Sequence, residues 1–490
     1  MRQNVVIVGG GVSGLVAGIY ALQAGFEVDI YEINGVSGGM CAQWRRQGIV
    51  CPNAINWMMG FRQGSSLHTL WENVGVMDEE SEFLKLEYIS AVPDGQDGYL
   101  YAYSDLNRFR DELLTISPDD EVGILNLMRA IELYRGYSIY AEKPEEMMTP
   151  IDKAIAFLPH IRAEKKVLFK DKSVAEYVKE FQSPLIRKLL LSVLPDARLN
   201  VRMLLNWLAS SANEDIAVPL SGFFCMTRKI ERKFLALGGK LHLATPVKRI
   251  EIKDDSVTGL LLKDDEFVKA DYVVSTVSPD ILLNELLDSR YQDGYFEQRL
   301  NAVSNFYTPS MTLINLACRM KGTIPHTLVV ETAFALLKIK HYSFSIEQST
   351  GKNLLQVFLQ DQEYDKWVAL KSRSEEAYRE KKESLARLVV QEVESVYPEL
   401  KGGIEILDVA TPLTLQRYCH SYKGAYLAFC PLVQLPRREN HPGTISGIDK
   451  LFVAGQWAFQ EGGLSMAAIS GKFAVQRILY RKQRLLNLKK

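Results

Sequence analysis

Net charge, paired cysteines and clustered histidines are all scarce in this 490-residue sequence, and each scarcity removes a class of function. The formal charge is -1, so no broad positive field invites nucleic acid. Cysteines stand singly at Cys41, Cys51, Cys225, Cys318, Cys419 and Cys430, with no CxxC pair. That spacing argues against a disulfide framework or a zinc site and fits a reducing, cytoplasmic compartment. The seven histidines form no HExxH or similar arrangement, so no metal is expected. Extended repeats and low-complexity linkers are missing too. Residues 5–25 run uncharged for the length of a membrane span, and three successive glycines after four apolar residues suit a strand, turn and helix better. The chain is long enough for two or more domains.

What is present begins at the N-terminus. Val5-Val6-Ile7-Val8 is a short β-branched run stopped by glycine, as in a buried parallel strand. Gly9, Gly11 and Gly14 then form GxGxxG, and Leu15, Ile19 and Leu22 recur at helical spacing up to Gly25. A second strand, Glu27-Val28-Asp29-Ile30-Tyr31, ends at Glu32. Each residue type has a mechanical purpose: Gly9 permits the turn, Gly11 lets a pyrophosphate approach the backbone, and Gly14 lets the helix pack on the strand. Amides at the helix start, with Val12 and Ser13 in its first turn, favour the phosphates. Glu32 is spaced to accept a ribose diol, and its charge disfavours a 2′-phosphate. These residues predict a dinucleotide with an adenosine diphosphate half; alone they do not separate NAD from FAD.

The separation comes from Gly38-Gly39, just past Glu32, which resembles the second fingerprint of the flavoprotein group of amine oxidases, phytoene desaturases, carotenoid isomerases and retinol saturases. That group usually continues with arginine at the place of Met40. Gly238-Gly239-Lys240-Leu241-His242-Leu243-Ala244-Thr245-Pro246-Val247 resembles its central strand, whose backbone at Val247 meets the adenine. Ala270-Asp271-Tyr272-Val273-Val274 looks like its return strand. Gly455, Gln456, Gly463 and Leu464 match the late loop that holds the ribityl chain and the flavin's pyrimidine end, with a helix over 465–479. Glu461 stands where glycine is common. The resemblance implies FAD, held by Gly9, Gly11, Val12, Ser13, Gly14, Glu32, Gly38, Gly39, Met40, Val247, Gly455, Gln456, Gly463 and Leu464. No second GxGxxG follows, and nine residues separate Cys41 from Cys51, which speaks against a two-nucleotide disulfide reductase.

The implied fold is α/β, with a discontinuous Rossmann-like FAD-binding domain from residues 1–85, 215–290 and 440–490. Residues 86–214 and 291–439 are expected to form an α+β substrate domain with a mixed sheet and a helical region over about 105–210. Helices are expected over 105–114 and 120–135 and along the basic amphipathic stretch 185–209, which Pro195 breaks in two. That stretch suits core packing, or a lid lining a lipid tunnel or resting on a membrane face.

Residues 44–60, and Ala410-Thr411-Pro412-Leu413-Thr414 with Arg417, Tyr418 and Gly424-Ala425-Tyr426, resemble elements of the carotenoid isomerases and retinol saturases. The resemblance places Arg417, Tyr418 and Tyr426 near the substrate side of the flavin. Asn53, Asn56, Trp57, Tyr426 and Glu461 are the candidates for the active-site wall. The implied activity is desaturation, saturation or isomerisation at carbon–carbon bonds of an extended apolar, carotenoid-like small molecule. A flavin amine oxidase and a non-enzymatic prenyl-lipid escort of the same fold are the alternatives. The electron partner and oligomeric state are not read from the sequence.

Overall fold

The computed structural model describes residues 2–53, 55–96, 98–137, 139–302, 304–319, 325–342, 351–360, 363–432 and 439–488. Strand β1 (Asn4–Val8), helix α1 (Val12–Gln23) and strand β2 (Glu27–Tyr31) form where the β-branched run, the glycines and the helical spacing put them. β1 lies at the centre of a five-stranded parallel sheet. The strand Lys240–His242 and β2 flank it on one side; Tyr272–Ser275 and Leu451–Val453 flank it on the other. Strands distant in sequence meet here because three of them, Asn4–Val8, Tyr272–Ser275 and Leu451–Val453, are largely apolar and buried and must be covered on both faces. Val5, Val6 and Ile7 are fully buried.

α1 and the long helix Leu464–Leu488 cover one face, in contact close enough that a Cβ on Gly471 would lie 2.3 Å from the Ser13 carbonyl. The uncharged stretch that mimics a membrane span is thus a strand and a buried helix. Among the described residues, no helix is long and apolar enough to cross a membrane.

A second five-stranded sheet takes the order Thr327–Glu331, Leu336–His341, Asn353–Gln360, Met311–Cys318, Glu405–Ala410. It is antiparallel at every pairing rather than mixed. Among the described residues no crossover helix of the kind parallel pairing requires stands between its first four strands in the chain; the helices Tyr364–Arg373 and Glu375–Val396 come before the last strand. One face, with Leu337 and Ile339, packs on Ala386, Val389 and Val393 of the helix Glu375–Val396. The opposite face, with Met311, Leu313 and Phe358, packs toward Met40, Trp44 and Tyr426.

The region between is helical: Leu106–Ile116, Glu121–Tyr134, Pro150–Lys166, Pro184–Val193 and Val201–Ala212. Asp105 caps the first by accepting from the Asn107 and Arg108 amides. Pro195 lies in the break between the last two, and their apolar faces, including Ile186, Leu190, Leu204 and Leu208, are buried in the core.

Candidate functional site

The turn after β1 shows three glycines with three different surroundings. Gly9 has φ of +104°, and a Cβ there would sit 2.5 Å from the Thr276 hydroxyl. A Cβ on Gly14 would lie 2.0 Å from the Gly9 carbonyl oxygen, so this glycine serves helix packing; it does not line the cleft. At Gly11 the nearest atom to such a Cβ is the Gly39 Cα, 4.0 Å away. Gly11 begins α1 with no side-chain cap, so the first-turn amides and the positive end of the helix face the cleft.

The buried Glu32 accepts from the Gly10 amide at 2.7 Å and from the Asn34 amide at 2.9 Å, which fixes its carboxylate at the cleft's far end. Oε1 also accepts from the Asn34 side-chain amide at 2.9 Å, so Oε2 is the oxygen that keeps a lone pair free for a hydroxyl.

Gly9, Gly11, Val12, Ser13, Glu32, Gly38, Gly39, Met40, Val247, Gly455, Gln456, Gly463 and Leu464 converge on one cleft of roughly 460 Å³. Tyr31 and Thr276, at the ends of two strands of the motif pattern, line it as well, as do Asn34, Ser278, Cys419 and His420, which nothing in that pattern marked. The Gly38 amide donates to the Gly10 carbonyl at 2.9 Å, joining the two glycine-rich turns. Met40 supplies no charge. Arg228, on the helix Gly222–Ala236, braces the same loop by donating to the Ser37 carbonyl at 2.6 Å. Gln456 Oε1 accepts from the Gly463 amide at 3.1 Å, and the Gly455 amide donates to Ser470 Oγ at 2.8 Å. An open glycine backbone at a helix start, with a buried carboxylate beyond it, fits a flavin adenine dinucleotide.

The wall residues divide. Tyr426 lines the cleft, and its hydroxyl donates to Gln360 Oε1 at 3.2 Å. Asn53 braces the cleft from behind, its amide donating to the Met40 carbonyl at 3.3 Å. Glu461 does not line the cleft: φ there is +69°, and its backbone amide and carbonyl bond Phe429 and Ala428. Arg417 and Tyr418 have exposed side chains that do not line the cleft, because on the helix Pro412–Cys419 the inward positions are Leu415 and Cys419; the Tyr418 carbonyl accepts from the side chain of Asn34 at 3.2 Å. Cys41 and Cys51 are buried free thiols, and burial raises both pKa values, Cys51 to about 12. They lack the activated character a redox pair needs.

Asn56 lies outside the FAD cleft, in adjoining cavities. Tyr426 is a wall of both the cleft and a cavity of about 30 Å³ lined by Asn56, Trp207, Met311, Lys338 and Phe358. Ile55 is shared between the cleft and a groove of about 560 Å³, where Asn56, Val218, Phe223, Lys340 and Tyr342 appear. Trp57 meets Trp207 edge to face at 5.0 Å, and the Lys338 ammonium lies 5.4 Å from the Trp57 ring. Lys340 donates to the Asn56 carbonyl at 3.2 Å. Burial pushes Lys338 down to about 8 and Lys340 well below the ordinary lysine value. Sequence reading missed both lysines.

Comparison with known proteins agrees with this geometry. The chain is 21% identical to the chloroplastic prolycopene isomerase of Daucus carota, over 97% of its own length and 80% of the relative's. It is 23% identical to 4,4′-diaponeurosporene oxygenase of Staphylococcus aureus, over 73% of its own length and 69% of the relative's. The crystal structure of an oxidoreductase from Methanosarcina mazei shares the fold, with a TM-score of 0.61 at 16% identity over 97% of this chain and 100% of that one. The family model described as flavin containing amine oxidoreductase matches residues 12–479. With its nucleotide cleft and glycine turns as described, the chain belongs to the flavin-containing amine oxidoreductases, and it is an oxidoreductase whose cofactor is FAD.

Proposed function

We propose that the enzyme acts on carbon–carbon bonds of an extended apolar lipid of isoprenoid or carotenoid type, by desaturation, saturation or isomerisation. The observation that carries this reading is continuity: Tyr426 and Ile55 each wall the FAD cleft on one side and a second cavity on the other. A substrate lying along the antiparallel sheet therefore meets the flavin edge at these two residues. The isomerase and oxygenase names of the two relatives support the same substrate class.

When bound, FAD supplies hydride exchange or, reduced, a negative charge beside a polyene. The protein's own part is placement. Val218 and Phe223 give the groove of about 560 Å³ apolar walls, Ile55 joins it to the cleft, and the small cavity with Trp207, Met311 and Phe358 lies on the other side, at Tyr426. Neither a carboxylate nor a histidine lines that cavity among the described residues; Lys338 and Tyr426 are the titratable groups there. A cationic amine is a poorer match, since its charge would face Lys338 and Lys340.

Incubating oxidised and reduced holoenzyme with acyclic polyenes, followed by mass and retention analysis, tests the reading. A product changed by a hydrogen pair, or an isomer of unchanged mass, is expected. Lipids recovered unaltered under both conditions would count against it.

A peripheral membrane contact belongs to the same proposal. The apolar face of the stretch 185–209 is buried, but the helix Pro150–Lys166 exposes Ile151 (73%), Ile155 (64%) and Leu158 (41%) along one stripe and ends in Lys165-Lys166. An exposed apolar stripe beside basic residues suits an anionic lipid surface.

A further inference from the structure

Lys338 and Lys340 have no evident structural reason to be lysine. They alternate with Leu337 and Ile339 on the strand Leu336–His341, so the hydrophobic pair faces the core and both ammonium chains face the cavities. Their cross-strand neighbours are Val329 and Phe358 for Lys338, and Thr327 and Gln356 for Lys340. None is acidic. Among the described residues neither lysine forms an ion pair: Lys338 faces the Trp57 ring, and Lys340 donates to the neutral Asn56 carbonyl. Glu82 lines the same groove as Lys340 without bonding it, and Arg45 adds another positive charge there. The two ammonium groups are close enough that Lys338 further depresses Lys340, and both depress His326.

Buried positive charge with no carboxylate beside it is costly, the ring contacts of Lys338 with Trp57 and of Lys340 with Tyr342 offset part of that cost, and apolar residues of similar volume would remove it. The cost is recovered when an anion arrives. We propose that Lys338 and Lys340 form a carboxylate-binding site for an acid group on the apolar substrate, which rests on the lipid reading above and narrows it to lipid acids. Asn56, common to both cavities, marks where the acid group would sit. The remaining chain would lie in the groove of about 560 Å³, past Val218 and Phe223 to Ile55, the wall shared with the cleft. Two point charges at one end fix which carbon–carbon bond of a repetitive chain reaches the flavin, a task that apolar contact performs poorly.

The test is binding rather than turnover. The FAD-loaded full chain is titrated with oleate and with methyl oleate while flavin difference spectra are recorded. Oleate is expected to bind about tenfold or more tighter than its ester, the size of a charge-assisted hydrogen bond. Lys338→Met and Lys340→Met should each close most of that gap while keeping the ester's affinity, and Lys340→Arg should keep part of it. The flavin spectrum of each variant reports that it has folded. Equal affinity for acid and ester in the unmodified protein overturns the anion site and leaves the apolar cavity reading standing. Failure of both ligands to bind overturns the anion site and the lipid reading together. A preference for oleate that survives both Met variants also overturns the assignment to these lysines.

Discussion

The Gly10 amide donates to the Glu32 carboxylate at 2.7 Å, tying the turn after β1 to the end of β2. One side chain thus shapes the phosphate turn and offers the ribose its acceptor. Glu32→Ala removes the acceptor for Gly10 and Asn34 at once. FAD affinity should fall about 10- to 100-fold, measured by fluorescence titration of the apoprotein. Unchanged affinity would show that Glu32 is only a loop brace.

The glycines of the fingerprint separate by experiment. Gly14→Ala puts a Cβ 2.0 Å from the Gly9 carbonyl oxygen and should destabilise the apoprotein by about 1 to 3 kcal/mol. Gly11→Ala meets nothing in the protein closer than 4.0 Å, so its apoprotein should melt normally while FAD binding is impaired by the added methyl. Thermal unfolding with and without FAD distinguishes the two patterns.

Lys338 carries a pH signature whose sign is fixed by its depressed pKa, from 10.5 to about 8 through burial. Above 10.5 the amine is neutral in both states and costs nothing. As pH falls toward 8 the unfolded chain takes up a proton that the native protein refuses, so stability is lost; below 8 the full penalty applies. Lys338→Met should therefore raise the ligand-free Tm at pH 7 by about 1 to 3 °C, with the gain fading as pH approaches 10.5. A lower Tm at pH 7 would show that the charge is compensated.

Vesicle co-sedimentation tests the exposed stripe. Ile151→Asp with Ile155→Asp should reduce binding to anionic vesicles about tenfold and leave the flavin spectrum unchanged. Equal sedimentation of the parent and double variant would remove this helix from any membrane contact.

Much of the nucleotide cleft was legible because its chemistry demands local sequence: glycine where φ is positive or where the backbone opens to the cleft, an acid at a strand end, a helix start. Gly9, Gly11, Glu32, Gly38 and Gly463 could be read for that reason. Glu461 could not, because its backbone bonds rather than its charge decide where it stands. Arg417 and Tyr418 depended on which side of a short helix faces inward. Lys338 and Lys340 were hidden by their own pattern: Leu337-Lys338-Ile339-Lys340 reads as a strand with its polar face in water. The cover comes from Asn56 and Trp57, far earlier in the chain. The antiparallel sheet likewise follows from long-range pairing, which strand propensity does not encode.

Anaerobic mixing of the oxidised and reduced holoenzyme with polyene lipids and, separately, with primary amines tests the central claim most directly, followed by flavin absorbance. Polyene lipids should perturb the flavin bands or change their redox state, and amines should leave them alone. Reduction of the flavin by amines, with no response to any lipid, would contradict the account.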